Sequence, residues 1–168
     1  KTFTTKTYFK LKKNRMKILK KLTINSPIAK VWDVLGNQFE HIDRWSSLIE
    51  KSEVSGDPNL PGVHFSVRST LTTAGPTQQE LVSFNTAQHS LSYKAIAGTP
   101  FFFKSVNAKW SLTKDTDERT NLELDFEVKF KGLFMLLSPL VKLKLGKVGD
   151  DLLEDFKYYV ENDKALVR

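Results

Sequence analysis

Cysteine is absent from this chain of 168 residues, and histidine is scarce. The lack of cysteine excludes disulfides, thiolate nucleophiles and cysteine-ligated zinc or iron–sulfur centres. It also favours a reducing compartment, and we expect a cytoplasmic protein. The three histidines, His41, His64 and His89, lie far apart in the sequence and lack the spacing of metal ligands. We therefore predict neither a metal site nor a cofactor.

Catalytic motifs and long apolar runs are also missing. The sequence contains no glycine-rich phosphate loop, no HExxH pair and no recognisable nucleophile motif. We therefore predict no catalytic residues, although an enzyme that acts mainly by shaping an apolar substrate is left open. The most apolar stretch, GLFMLLSPLV, is followed at once by a lysine and is far shorter than the ~20 apolar residues that a membrane span needs.

The formal charge of +7 is concentrated at one end of the chain. Residues 1–21 contain nine lysines and arginines and no acid, whereas acids slightly outnumber cations in the remainder. We therefore divide the chain into a basic arm, residues 1–15, and a single domain, residues 16–168. The arm is either a solvated tail or a weak contact with anionic membranes through residues 1–21, and we expect no specific nucleic-acid partner. The oligomeric state is left open.

Hydrophobic periodicity predicts one strand, two short helices, about six further strands and a long C-terminal helix. In SPIAKVWDVLGN, Ser26 is suited to cap the first helix, and FEHIDRW indicates the second. The segment TNLELDFEVKF alternates apolar and polar residues, as is typical of a strand with one solvated face. Ser138 is suited to cap the last helix, which we place at about residues 139–161.

Alternation within the strands also predicts which side chains face the interior. In VHFSVRSTL, it places Phe65 and Val67 inside and Arg68 outside, unless a bulge near RSTLTT turns Arg68. Tyr93 and Trp110 share their strand faces with small or apolar residues, so each is either a core aromatic bonded to the backbone or a contact for the polar end of a ligand. Lys104 breaks the alternation of its strand, which favours a shift of register near FFFKS over a lysine that reaches inward.

Three segments together resemble the START-like (SRPBCC) superfamily, and within it the polyketide cyclase/dehydrase-like family. INSPIAKVWDVLGN is similar to the superfamily's first strand-to-helix segment, FEHIDRW to its second helix and LLEDFKYYVEN to its last helix. The resemblance covers about residues 16–164. It implies an α+β helix-grip fold, in which a curved antiparallel sheet of about seven strands wraps around the long C-terminal helix and two short helices follow the first strand.

The resemblance further implies an apolar cavity between sheet and helix, with GLFMLL near its mouth. We therefore expect a protein that binds or carries a hydrophobic small molecule, such as a lipid, a polyketide or an isoprenoid-like compound. Two alternatives stay open: a polyketide cyclase/dehydrase-type enzyme, and a module that docks on a membrane or a partner through the basic arm. Periodicity and the resemblance together give the predicted ligand-binding residues: Trp45, Phe65, Val67, Tyr93, Phe102, Trp110, Phe126, Phe134, Met135 and Val141.

Overall fold

The computed structural model of the protein describes residues 6–12 and 14–167, the first of these ranges by its backbone alone. Within them, eight antiparallel strands form one sheet. The strands are β1 (Lys6–Lys12), β2 (Arg15–Ile24), β3 (Ile49–Ser55), β4 (Val67–Thr72), β5 (Gly75–Asn85), β6 (Ser90–Ala97), β7 (Phe103–Thr116) and β8 (Arg119–Phe130). Their order across the sheet is β1-β2-β8-β7-β6-β5-β4-β3.

The N-terminal hairpin therefore lies beside the last strand of the chain. β1 pairs with β2 from Lys6 opposite Lys21 to Lys12 opposite Arg15, so residues that the sequence assigns to the basic arm form the edge of the sheet. β2 in turn pairs along its whole length with β8. The other strands follow one another as antiparallel neighbours from β8 back to β3.

Short helical segments connect β2 to β3. The helix α1 (Ile28–Trp32) continues into a π-helical turn (Asp33–Asn37), and a first 3₁₀ helix (Phe39–Arg44) follows. Pro27 occupies the N-cap of α1 and no side chain caps it, so the cap predicted at Ser26 is wrong. A Cβ atom on Gly36 would lie 2.5 Å from the Trp32 ring, and this tight turn therefore requires glycine.

A second 3₁₀ helix (Gly132–Leu137) leads directly into the long helix α2 (Ser138–Asn162). The bounds of α2 agree with the predicted helix, but the predicted cap is wrong, because Ser138 is the first helical residue and makes no cap hydrogen bond. The residue after the helix, Asp163, is its C-cap: its backbone is left-handed, and its N–H donates to the Tyr159 carbonyl oxygen at 2.8 Å.

Alternate side chains of the strands point to the concave face of the sheet, where α2 covers them. They form two clusters. The first core cluster lies under the second half of α2 and includes Trp32, Phe39, Trp45, Phe65, Leu91, Tyr93, Trp110, Leu124, Leu153, Phe156 and Val160. The second core cluster lies under the first half of α2 and consists of Met16, Ile18, Val128, Phe130 and Val141, with half-buried neighbours. This arrangement is the predicted helix-grip fold, with eight strands in place of about seven.

Candidate ligand-binding site

A buried guanidinium group lies within the first core cluster. Arg68, on β4, is only 2% exposed. Its Nη1 donates to the Phe39 carbonyl oxygen at 2.6 Å, and its Nε and Nη2 both donate to the side-chain oxygen of Gln79. The guanidinium carbon lies 3.7 Å from the centroid of the Phe39 ring and 5.5 Å from that of Tyr93. Neutral acceptors and two aromatic faces therefore hold this cation in place.

The position of Arg68 corrects the predicted orientation of β4. Phe65 and Arg68 are both buried, although they are three residues apart, and Val67 lies on the opposite face of β4 from Arg68. The regular strand begins only at Val67, so the alternation cannot be extended back through Phe65. The prediction that Val67 faces inward and Arg68 outward is therefore wrong, and the structure does not bring Val67 to the site.

Burial also determines the electrostatics of this group. It lowers the pKa of Arg68 to about 10, against opposing interactions with Tyr93, Asp43 and Glu40. Arg68 therefore remains a cation at neutral pH. It takes part in none of the ion pairs among residues 14–167. Buried charges are ordinarily paired, so a buried cation whose hydrogen-bond acceptors are all neutral attracts an anionic or strongly polar acceptor.

The cavity beside Arg68 is small. Its volume is about 10 Å³, and seven residues enclose it: Val34, Leu35, Phe39, Ile42, Trp45, Arg68 and Trp110. That volume is close to the minimum needed for one water molecule, so side chains fill the interior almost completely. Of the predicted ligand-binding residues, Trp45 and Trp110 line this cavity. Phe65 and Tyr93 lie behind Phe39, with ring centroids 6.2 Å and 5.7 Å from its own.

The remaining predicted residues surround the first half of α2. Val141 is buried in the second core cluster, where Phe102 and Met135 are half-buried. Phe134 lies at the surface, and its ring centroid is 6.1 Å from that of Phe102. Phe126 packs against both clusters. Apart from Val67, the structure therefore gathers the predicted residues into two groups, with Phe126 in contact with both.

The start of β7 resolves the anomaly at Lys104. The pairing of β7 with β8 shifts register between Phe103 and Ser105, and the side chain of Lys104 is exposed. The predicted register shift is confirmed.

A buried lysine lies on β2 between the two clusters. Lys20 is 2% exposed and occupies the inward-facing position between Ile18 and Leu22. Its Nζ lies 2.5 Å from Oδ1 of Asp150 on α2. A Cβ atom on Gly149 would lie 2.9 Å from the Lys20 Cε, so α2 approaches the sheet this closely because residue 149 is glycine.

An open groove runs beside the first half of α2, next to this ion pair. Its volume is about 600 Å³, and it is lined by Lys20, Pro139, Lys142, Leu143, Gly146, Lys147 and Asp150. The volume falls in the range of roughly 300–1,000 Å³ that is typical of small-molecule sites. The interior is therefore closed beside Arg68, and the open groove runs along the surface of α2 next to Lys20.

A buried carboxylate fixes the second half of α2. Asp155 is fully buried, and its Oδ2 accepts hydrogen bonds from both the backbone N–H and the Oγ of Ser47, each at 2.7 Å. Trp45, two residues before Ser47, packs its ring 5.0 Å from that of Phe156 on the same helix. Polar and aromatic contacts thus join α2 to the segment before β3.

The sheet wrapped on a long C-terminal helix defines the START-like class of proteins. Within that class, the model of the family described as "Polyketide cyclase / dehydrase and lipid transport" matches residues 15–161. The chain belongs to this family.

Solved structures agree with the fold. A START superfamily protein from Mycobacterium smegmatis is 15% identical, with a TM-score of 0.72 over 88% of this chain and 99% of that one. The structure of Ara h 8.0201 is 16% identical, with a TM-score of 0.71 over 87% and 97%. The protein XoxI from Bacillus cereus is 14% identical, with a TM-score of 0.70 over 87% and 96%. A comparison with the curated proteins finds no significant match.

Within the described part of the chain, no helix is both long enough and apolar enough to cross a bilayer.

Proposed function

We propose that this protein binds a hydrophobic small molecule that carries an anionic or strongly hydrogen-bond-accepting end. The molecule lies between α2 and the concave face of the sheet, and its polar end meets Arg68. The observation that carries this proposal is the burial of the Arg68 cation among aromatic rings with only neutral acceptors. An acidic group at this position would pair the charge and would leave the rest of the ligand in apolar surroundings.

Binding requires part of the interior to open, because the cavity beside Arg68 holds only about 10 Å³. We propose that the second 3₁₀ helix and the first half of α2 move away from the sheet. The second 3₁₀ helix buries none of its residues. An open groove of about 600 Å³ runs along one side of the first half of α2. The second half has the tighter anchor, since Asp155 and Phe156 are fully buried.

The enzymatic alternative receives less support from these residues. Of the described residues that line the cavity, Arg68 is the only titratable one. General acid–base catalysis requires a group that exchanges protons near neutral pH, and an arginine does not do so. The geometry therefore favours binding and orientation over proton transfer.

The first test is native mass spectrometry of the purified protein, followed by organic extraction of whatever is retained. The second is a fluorescence titration with a polyene fatty acid and with its methyl ester. Because a hydrogen bond to a charged group is worth about 1.5–3 kcal/mol, we expect the acid to bind at least tenfold more tightly than the ester. Arg68→Gln should remove this preference, whereas Lys109→Gln, which removes an exposed cation from β7, should preserve it. Equal binding of acid and ester by the unaltered protein would contradict the role of Arg68. If neither probe binds and the purified protein retains no molecule, ligand binding itself would be contradicted.

A further inference from the structure

The second 3₁₀ helix and the first half of α2 carry an apolar stripe on their outer side. Leu133 is 84% exposed and Leu136 is 81% exposed, and Leu140 and Leu143 continue the exposed stripe at helical spacing. A helix that packs on a sheet needs only one apolar stripe, and α2 already buries Val141 on its inner side. The outer stripe therefore contributes nothing to the core of the described fold.

An exposed aromatic residue from a different part of the chain joins this stripe. Phe101, in the connection between β6 and β7, is 73% exposed, and its ring centroid lies 5.4 Å from that of Phe134. Exposed apolar residues that cluster in this way, rather than being scattered singly, mark an interaction site. We call this surface the docking patch: Phe101, Leu133, Phe134, Leu136, Leu140 and Leu143.

A cationic groove adjoins the docking patch. It has a volume of about 820 Å³ and is lined by Asn14, Arg15, Lys104, Lys129, Phe130, Lys131 and Gly132, the last of which precedes Leu133 in the chain. No carboxylate is among these lining residues, and Arg15 and Lys129 pair with Glu127 outside the groove lining. Lys104 and Lys131 form no ion pair with the residues that the structure describes, and the sequence has no acid anywhere between Val128 and Asp150.

The combination of the two surfaces identifies the partner. A bilayer rich in anionic phospholipids presents phosphate and carboxylate groups directly above an apolar layer, and peripheral proteins bind it with apolar side chains flanked by lysines. We propose that this end of the protein docks on such a bilayer, with the docking patch in the headgroup–acyl boundary and the cationic groove against the headgroups. The surface belongs to the folded domain, and it is distinct from the membrane contact that the sequence suggests for the basic arm.

The proposal is tested by sedimentation of the full chain with vesicles. We expect binding to vesicles of equal parts phosphatidylcholine and phosphatidylserine, binding that weakens as salt is added, and much weaker binding to phosphatidylcholine alone. Two double variants should each lower the partition coefficient at least about tenfold. One combines Leu133→Ser with Leu136→Ser, and the other combines Lys104→Glu with Lys131→Glu. The matched controls Val82→Ser and Lys109→Glu change an exposed apolar residue and an exposed cation elsewhere on the sheet, and they should leave it unchanged.

Insertion is measured separately with a fluorescent reporter. In Phe101→Trp, we expect the added tryptophan to be quenched by brominated acyl chains, whereas Val82→Trp should not be quenched. Unchanged binding by both double variants would overturn the proposal, as would binding that is lost only when residues 1–5 are removed. These readouts do not depend on the molecule bound beside Arg68, so the docking proposal and the proposed function can fail independently.

Discussion

Substituting Gly149 by alanine places a methyl group against the buried stem of Lys20. The new Cβ would lie 2.9 Å from Cε of this lysine, closer than real Cβ contacts come, and 3.1 Å from its Cδ, which is tighter than most. Lys20 has little room to withdraw, because it is 2% exposed and its Nζ is held by Asp150. The same helix offers a matched control in Gly146, where an added Cβ would meet nothing within 4 Å.

The two substitutions should change stability in opposite directions. Alanine is favoured over glycine within a helix by about 1 kcal/mol, so Gly146→Ala should raise the free energy of unfolding by up to that amount. Gly149→Ala gains the same helix propensity, but its methyl group displaces the buried cation Lys20 from Asp150. Breaking a buried ion pair costs about 3–5 kcal/mol, and we expect less here because the side chain of Asp150 is half-exposed. The net result for Gly149→Ala is therefore a loss of about 1–3 kcal/mol.

Urea unfolding at neutral pH measures the free energy of unfolding of both variants. The comparison holds if the slope of that free energy against urea concentration is the same for all variants. A double-mutant cycle isolates the contact. In a Lys20→Val background the methyl group has room, so Gly149→Ala should become stabilising, as Gly146→Ala is in the unaltered chain. If Gly149→Ala stabilises the unaltered protein as much as Gly146→Ala does, the contact with Lys20 does not constrain the approach of α2, and the reasoning is refuted.

Four further substitutions test the anchoring of α2 and one turn. Phe156→Ala removes a fully buried ring that packs against two tryptophans, and thermal unfolding should show a loss of about 3–5 kcal/mol. Asp155→Ala should lower the free energy of unfolding in urea by about 2–4 kcal/mol, because it leaves the backbone N–H of Ser47 unsatisfied. Ser47→Ala removes only the hydroxyl bond and should cost about 1 kcal/mol. Equal losses would show that the backbone hydrogen bond is unimportant. Gly98 has a φ of +77°, and a Cβ there would lie 2.1 Å from the Pro76 carbonyl oxygen. Gly98→Ala should therefore lower the free energy of unfolding by about 1–3 kcal/mol or more, and an unchanged melting temperature would contradict this.

The order and type of the main elements could be predicted because each has a local periodic signal. The alternation that predicts a strand at residues 122–130 recurs in the structure within β8, and the apolar stripe of the C-terminal helix recurs on the inner side of α2. Caps were predicted less well. At Ser26 and Ser138 the chain has the favoured residue type, but Pro27 and Leu137 occupy the N-cap positions. Neither serine side chain makes the cap hydrogen bond.

The two buried cations differ in how far the sequence reveals them. Lys20 shares the parity of Ile18 and Leu22, so alternation alone predicts it to face inward, and only the assumption that lysines are solvated hides it. Arg68 has no such local signal. Its orientation depends on where β4 begins and on its pairing with Gln79 of β5, and both are set by contacts between strands. Periodicity also predicts which face a side chain occupies but not whether space remains beside it, which is why Trp45 lines a cavity of only about 10 Å³.

The sheet remains open, with β1 and β3 as its two edges. The unpaired backbone groups of an edge strand can template pairing with another molecule, and proteins discourage this by placing charges there, lysine above all. The sequence of β1, KTYFKLK, contains three lysines, and β3 carries an exposed ion pair between Lys51 and Glu53. The positive charge that dominates the start of the chain therefore protects an edge of the sheet against self-association. A chain that lacked residues 6–12 would expose β2 as the edge instead, and it would depend on the lysines of that strand for the same protection.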